Sequence, residues 1–520
     1  MITLMSCDNL SVLMTSDSLF AVFDVRDRGE FNQGQIPNAA SLPRSQIEFR
    51  IAELVPNRSV SIVLYDEGGD RAALVAETLT GLGYEQVSIL QGGLSAWQRE
   101  GRAIVSGVNV PSKAFGEKIH HNTNVPDISP QELKSLLDSS AKPVILDVRT
   151  PEEYGRFCIP GGSNIPGGDL ILWAEELRQK PAVIVNCAGR TRSIIGTAAL
   201  RRLGLTNVRA LRNGTMGWVL AGFDLETKPG RQTLAAPPTG REAAMALARR
   251  ISEEEEILRI SPQEVMNVMA ESNTGVTYLI DVRSEHEYEA GHVAGSINVP
   301  GGQAVQRADD FVAVHNGRII FISNQASRAV MAAYWYRQMG FPNVQVLDGG
   351  LDAWTESGSK LITGIPSNEP LGIQTAKQVV RSIEAKAFER RIQDSSLLVL
   401  DVGTSLEFEA AHVPEAKWIS RGWIEIRFPQ RFSDRNQPIV VTCSDSRQST
   451  FAAQTLMEIG YTDVSVLENG VRAWSEADLP TENGLDACLV EPNDVVLSPS
   501  VRGNKEDMQR YLDWETKLPH

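Results

Sequence analysis

A four-fold internal repeat with fixed internal distances constrains this chain more than any other feature. An apolar run ends in Asp24-Val25-Arg26, Asp147-Val148-Arg149, Asp281-Val282-Arg283 and Asp401-Val402-Gly403, at intervals of 123, 134 and 120 residues. Each copy then carries a second apolar run that stops at Asp66, Cys187, Ser323 or Cys443, which lie 42, 40, 42 and 42 residues beyond the first Asp. From that stop a glycine follows after 27 residues in every copy (Gly93, Gly214, Gly350, Gly470), and a tryptophan four residues later (Trp97, Trp218, Trp354, Trp474). Another glycine stands 17 residues after the stop (Gly83, Gly204, Gly340, Gly460), where a helix C-terminus favours a residue able to turn left-handed. Four copies that keep these distances must fold to one plan.

Within a copy, short runs rich in Val and Ile alternate with helical patterns: Ala182 to Cys187, then Arg192 to Leu203, then Val208 to Leu211. That alternation predicts an α/β domain with a parallel sheet covered by helices. A chain of 520 residues is long enough for several such domains. Stretches with Pro or Gly (Gly107 to Pro111, Lys228-Pro229-Gly230, Gly364 to Pro366) place breaks near residues 112, 234 and 366. The expected domains are 1–112, 113–234, 235–366 and 367–490, followed by a tail, 491–520, outside the repeat. The tail's Tyr511, Leu512 and Trp514 are expected to dock on a domain, and the acidic run Glu253 to Glu256 reads as a solvated helix start.

Charge narrows the partners. Lys plus Arg number 50 against 65 for Asp plus Glu, a net charge of −15, which argues against general binding to nucleic acid or anionic membrane. The start has no basic leader, and no apolar run approaches the roughly 20 residues that span a bilayer. The five cysteines (Cys7, Cys158, Cys187, Cys443, Cys488) show no paired spacing and no C-x-x-C pattern. A cytoplasmic protein with reduced thiols, no metal and small-molecule or protein partners is expected.

In the second copy the strand delivers Cys187-Ala188-Gly189-Arg190-Thr191-Arg192-Ser193 into a helix. A cysteine at a strand's end, before a Gly-containing loop and a helix start, sits where backbone N–H groups and the helix dipole converge on an anion. Such a place favours the thiolate over a thiol that ordinarily titrates near about 8.5. Arg190 and Arg192 push the same way and are candidates for holding an anionic substrate. The plain alternative is an inert, buried strand-end cysteine.

These residues resemble the rhodanese family of sulfurtransferases. The resemblance rests on the Asp-Val-Arg strand end, the Cys187 loop with four residues between Cys187 and Arg192, and the closing Gly-x-x-x-Trp turn, and it extends over all four copies. With Gly107 to Phe115 after the first copy and Val299 to Gln303 in the third, the chain looks like the four-domain rhodanese-related proteins of bacteria. The resemblance implies four tandem domains, each with a doubly wound, mainly parallel five-stranded sheet. It also implies that Cys187 forms a persulfide with a donor such as thiosulfate, and that cyanide or a thiol then takes the sulfur. No organic cofactor is implied, and a sulfur-carrier protein is a further conceivable partner. The loop amides of Ala188, Gly189, Arg190, Thr191, Arg192 and Ser193 would cradle the anionic sulfur. Asp147 and Arg149 are expected to give structural support, pairing with the loop's charges.

The other copies depart from this pattern. Asp66 and Ser323 cannot form a persulfide, and Asp66, Glu67 and Asp70 would repel an anionic donor. The fourth copy keeps Cys443, but Gln448 stands where Arg192 does, Arg447 is one residue early, and Gly403 replaces an arginine. Cys443 is therefore a second candidate thiol, with Arg447 beside it, or a vestige. Eleven residues after the repeat's Asp lie Gln35, Cys158, His292 and His412. Because an inactive copy has the histidine and the best candidate has Cys158, this position reads as structural, with Cys158 a resolving thiol only if it lies within disulfide reach of Cys187. Two rival readings stay open. A cysteine phosphatase also seats a thiolate in an amide cradle, although its loop is one residue longer with a preceding His, where Asn186 stands here. A scaffold that binds sulfur-carrying proteins, with turnover incidental, would also explain two copies without cysteine.

Overall fold

The computed structural model describes residues 2–140, 142–227, 233–270, 275–367 and 369–518. In the second repeat the strands lie in the order Asp127–Ile128, Val208–Leu211, Val183–Asn186, Val144–Asp147 and Ser163–Asn164, each paired in parallel with the next. The third and fourth repeats repeat this order, with Arg318–Ile322 and Ile439–Thr442 in the centre. The first places Ser61–Tyr65 between Phe20–Asp24 and Val87–Leu90. Helices cover both faces, so the central strands are buried along their whole length and need no alternation of polar residues.

The constant spacings have physical causes. Twenty-seven residues after the central strand ends, a glycine packs against that strand's last carbonyl: a Cβ on Gly214, whose φ is +55°, would stand 2.2 Å from the Cys187 oxygen. Gly93, Gly350 and Gly470 meet the equivalent carbonyls at 2.5, 2.3 and 2.1 Å. The next residue's N–H donates to the same carbonyl, as Thr215 does to Cys187 at 2.8 Å. Only glycine permits this approach, which ties the loop to the following helix. The tryptophans are buried, and each indole donates to a carbonyl six residues on: Ala103, Asp224, Lys360 and Pro480.

By contact the chain divides into two compact units. One is residues 1–107 with 367–496, holding the first and fourth repeats; the other is 108–366 with 497–520, holding the second and third. The helix Val110–Thr123 runs across the expected break near residue 112. The break expected at Lys228-Pro229-Gly230 lies outside the described residues. The tail forms the helix Lys505–Glu515, whose Met508 and Leu512 are buried against Met216 of the second repeat.

One local expectation is corrected. The acidic run ends a helix, Gly240–Glu254, rather than starting one. Carboxylates there oppose the helix dipole, and Arg202, which pairs with both Glu254 and Glu255, supplies the compensating charge. No helix among the described residues is long and apolar enough to cross a membrane.

Candidate functional site

Cys187 directly follows the central strand of the second repeat and is 2% exposed. The loop that follows turns directly into the helix Thr191–Arg202. Burial pushes the Cys187 thiol up, contrary to the expectation of a lowered value. Arg192 and the N–H and hydroxyl of Ser193 pull the other way by favouring the thiolate, and Glu515 adds to the rise. Desolvation outweighs them because the sulfur lies inside the fold rather than at an open helix end.

The two arginines are already engaged. Arg190 donates to both oxygens of Glu117 at 2.6 and 2.8 Å and to Asn213 at 3.2 Å. It is a clamp on the Val110–Thr123 helix, not an open anion hook. Arg192 is bidentate on Glu153 at 2.6 and 2.7 Å, and this holds Glu153 down at about 2. Of the two, Arg192 is the one whose charge reaches Cys187.

Asp147 and Arg149 hydrogen-bond to each other, and Asp147 also acts on the loop's charge through Arg192. Arg149 donates to Asp147 at 2.7 and 2.9 Å and to the Phe157 carbonyl at 2.6 Å, while Asn186 donates to Asp147 at 3.2 Å. Both are essentially buried, so neither charge could stand without the other. The pair locks the neighbouring strand's end to the residue just before Cys187.

Glu153 was not singled out in the sequence, yet a signal was present. A glutamate stands six residues after the repeat's Asp in every copy: Glu30, Glu153, Glu287 and Glu407. Each closes a capping box with the residue three before it. In the first three copies it also grips an arginine five residues past the strand end, Arg71, Arg192 or Arg328. Lys113 and the tail's Glu515 carried no such signal, while Tyr511 docks as expected of the tail, against Lys113. Lys113 is buried, donates to the Tyr511 hydroxyl, and lies over the Tyr511 and Trp514 rings at 4.3 and 5.1 Å.

In the first repeat the Asp66 carboxylate fills its own loop. It accepts from the N–H groups of Gly68, Gly69 and Ala72 at 2.7, 3.0 and 3.1 Å. In the third, Ser323 Oγ accepts from the Ala329 N–H at 3.2 Å. In the fourth, Cys443 is buried with its sulfur 3.4 Å from Ser449 N and Oγ. Arg447 does not join it; the side chain is half exposed and pairs with Asp445. Gln448 is spent on Arg421 and the Ser45 carbonyl.

His292 and His412 are core residues. Each is buried, stacks on an aromatic ring at 3.7 or 3.8 Å, and faces a carbonyl through Nδ1. Cys158 occupies the same position, its backbone bridged to Glu226, and none of the five cysteines is in a disulfide. Among the described residues, no cluster of three or more His, Cys, Asp or Glu side chains is arranged as a metal site.

The strand-end thiol, the glycine-tied loop and the fourfold plan match a known family. The rhodanese-like domain matches residues 7–100, 129–221, 261–357 and 384–477. The chain belongs to the rhodanese family. A crystal structure of thiosulfate sulfurtransferase from Pseudomonas aeruginosa is 36% identical with a TM-score of 0.91, covering 99% of this chain and 97% of that one. A sulfurtransferase of Allochromatium vinosum is 33% identical over 106 residues, 20% of this chain and 97% of its own length. The 3-mercaptopyruvate sulfurtransferase of Escherichia coli is 28% identical over 215 residues, 36% of this chain and 75% of its own. Each rhodanese repeat here thus keeps the family's scaffold while the residue at the strand end varies.

Proposed function

We propose that this rhodanese-family protein is a sulfurtransferase whose second repeat carries the reaction through Cys187. The observation that carries this is the contrast at one position: of the four strand ends, two hold thiols, and only Cys187 has an arginine beside it. The full-length likeness to a thiosulfate sulfurtransferase supports the reaction class.

The Cys187 thiolate attacks the outer sulfur of thiosulfate. A sulfur–sulfur bond forms as the donor's own breaks, and sulfite leaves with the electron pair. The loop's N–H groups and Arg192 stabilise the persulfide anion. An acceptor such as cyanide or a thiol then attacks the terminal sulfur and returns Cys187 as thiolate. A loop with only four residues between Cys187 and Arg192 suits one sulfur atom better than a phosphate, which favours sulfur transfer over phosphatase chemistry. The first and third repeats act as structural or partner-binding domains, since Asp66 and Ser323 take up their own loop amides.

Intact mass after thiosulfate treatment tests this. Wild type and Cys443→Ser should each gain one sulfur that a reductant removes, and Cys187→Ser should gain none. No added sulfur on wild type would refute thiosulfate as donor and favour the scaffold reading.

A further inference from the structure

A buried carboxylate stands at the mouth of the Cys187 loop. Glu515, the last residue of the tail helix, is 1% exposed. Its Oε1 accepts from the Thr191 N–H at 3.2 Å and from the Thr191 hydroxyl. Its Oε2 finds no hydrogen-bond partner among the described residues and lies 3.3 Å from where a Cβ on Gly189 would stand. A carboxylate oxygen buried without a donor is costly, so something must hold it in place. Met508 and Leu512, packed on Met216, pin the helix, Lys113 clasps Tyr511 one turn back, and the charges of Lys113 and Arg190 attract the Glu515 carboxylate.

The first repeat shows a carboxylate, that of Asp66, held by the equivalent loop, through the N–H groups two, three and six residues past the strand end, whereas Glu515 takes the one four residues past Cys187. In the second repeat the strand supplies a thiol instead, and a carboxylate arrives from the tail, 324 residues away in sequence.

We propose that Glu515 is a specificity-determining residue, a tethered carboxylate that competes with anionic donors for the loop's N–H groups and repels them from Cys187. Donors whose approaching end is uncharged are thereby favoured over dianions such as thiosulfate. This inference rests on the reading of Cys187 as the reactive thiol.

Alkylation by iodoacetate and iodoacetamide separates the two effects. Both form a carbon–sulfur bond at Cys187 and expel iodide, and they differ in the charge that approaches. In wild type the iodoacetamide preference at the Cys187 peptide, read by mass spectrometry, should exceed that of an unstructured cysteine peptide at the same pH and salt. Glu515→Gln keeps the shape and an acceptor but drops the charge. It should raise the iodoacetate-to-iodoacetamide rate ratio about tenfold and lower the KM for thiosulfate by a similar factor, with kcat within about twofold. Glu515→Asp, which keeps the charge, should hold the wild-type ratio. An unchanged ratio in Glu515→Gln, or equal acceleration of both reagents, overturns the proposal. If that variant does not fold, a wild-type ratio equal to the free peptide's overturns it as well. Thiosulfate loading with an unchanged alkylation ratio would refute the Glu515 assignment alone. A changed ratio with no loading in either protein would refute only the sulfur-transfer reading.

Discussion

The loops of Cys187 and Cys443 end equivalent strands, are tied down by equivalent glycines, and place a serine beside the sulfur six residues on. Burial pushes both thiols up. They differ in the charges around them. Beside Cys187, Arg192 favours the thiolate and is itself held by Glu153, while Asp147 is neutralised by Arg149. Beside Cys443 the arginine has become Gln448 and the strand-end arginine has become Gly403. Asp401 is left with only Thr442 and its own turn as donors; burial pushes it up to about 7, and it opposes the Cys443 thiolate. A shared scaffold therefore presents a buried thiol in both repeats, and two substitutions change the charges that face it.

The largest effect should strike what the loops share. Gly214→Ala places a Cβ inside the Cys187 carbonyl at a φ of +55° and should cost about 4 kcal/mol of local stability. Gly470→Ala should cost about the same in the fourth repeat, and hydrogen exchange of each central strand would read both. A large difference between them would break the picture of one common scaffold.

Next comes what distinguishes them. Asp401 offers an effect of similar size with a defined sign. Its folded pKa of about 7 lies above the ordinary 3.8, so between those values the folded state holds a proton that the unfolded chain has lost. Stability of the fourth repeat should fall as pH rises from about 4 to 7 and stay low above that. Asp401→Asn removes this slope, adding about 4 kcal/mol at pH 8 and almost nothing at pH 3. Exchange rates in the strand Leu398–Asp401 at several pH values would reveal it.

Arg192→Gln gives the second repeat the fourth repeat's residue and strands Glu153, a partly buried partner. Local stability should fall by about 3 kcal/mol. Sulfur uptake by Cys187, followed by mass, should slow about tenfold or more. Uptake at the wild-type rate would show that the arginine's charge is not what separates the two thiols. The smallest effect belongs to Arg447, whose pairing with Asp445 is half exposed: Arg447→Ala should change stability by less than about 0.5 kcal/mol and leave Cys443 reactivity as it was.

Much of the fold was legible because the repeat records its own packing. The 27-residue glycine and the tryptophan four beyond it mark a backbone contact and an indole hydrogen bond that no other residues supply. The strand-end Cys187 and its loop could be read in the same way. Glu153 was present as a sixth-position glutamate in every copy, but capping alone would account for such a residue, so its grip on Arg192 stayed hidden. Arg190 looked like an anion hook because the sequence places it beside Cys187, whereas its partner Glu117 lies 73 residues earlier on the joining helix.

The sequence by itself determined the four-domain plan, the α/β class and the residue at each strand end, because local spacing and side-chain type decide these. Arg192 and Ser193 act on Cys187 from its own loop, and tertiary structure decided the rest of its electrostatics. Desolvation and charge act through space: Glu153 holds Arg192 within the repeat, and Lys113 and Glu515 reach the site only when the joining helix and the tail pack on the finished domain.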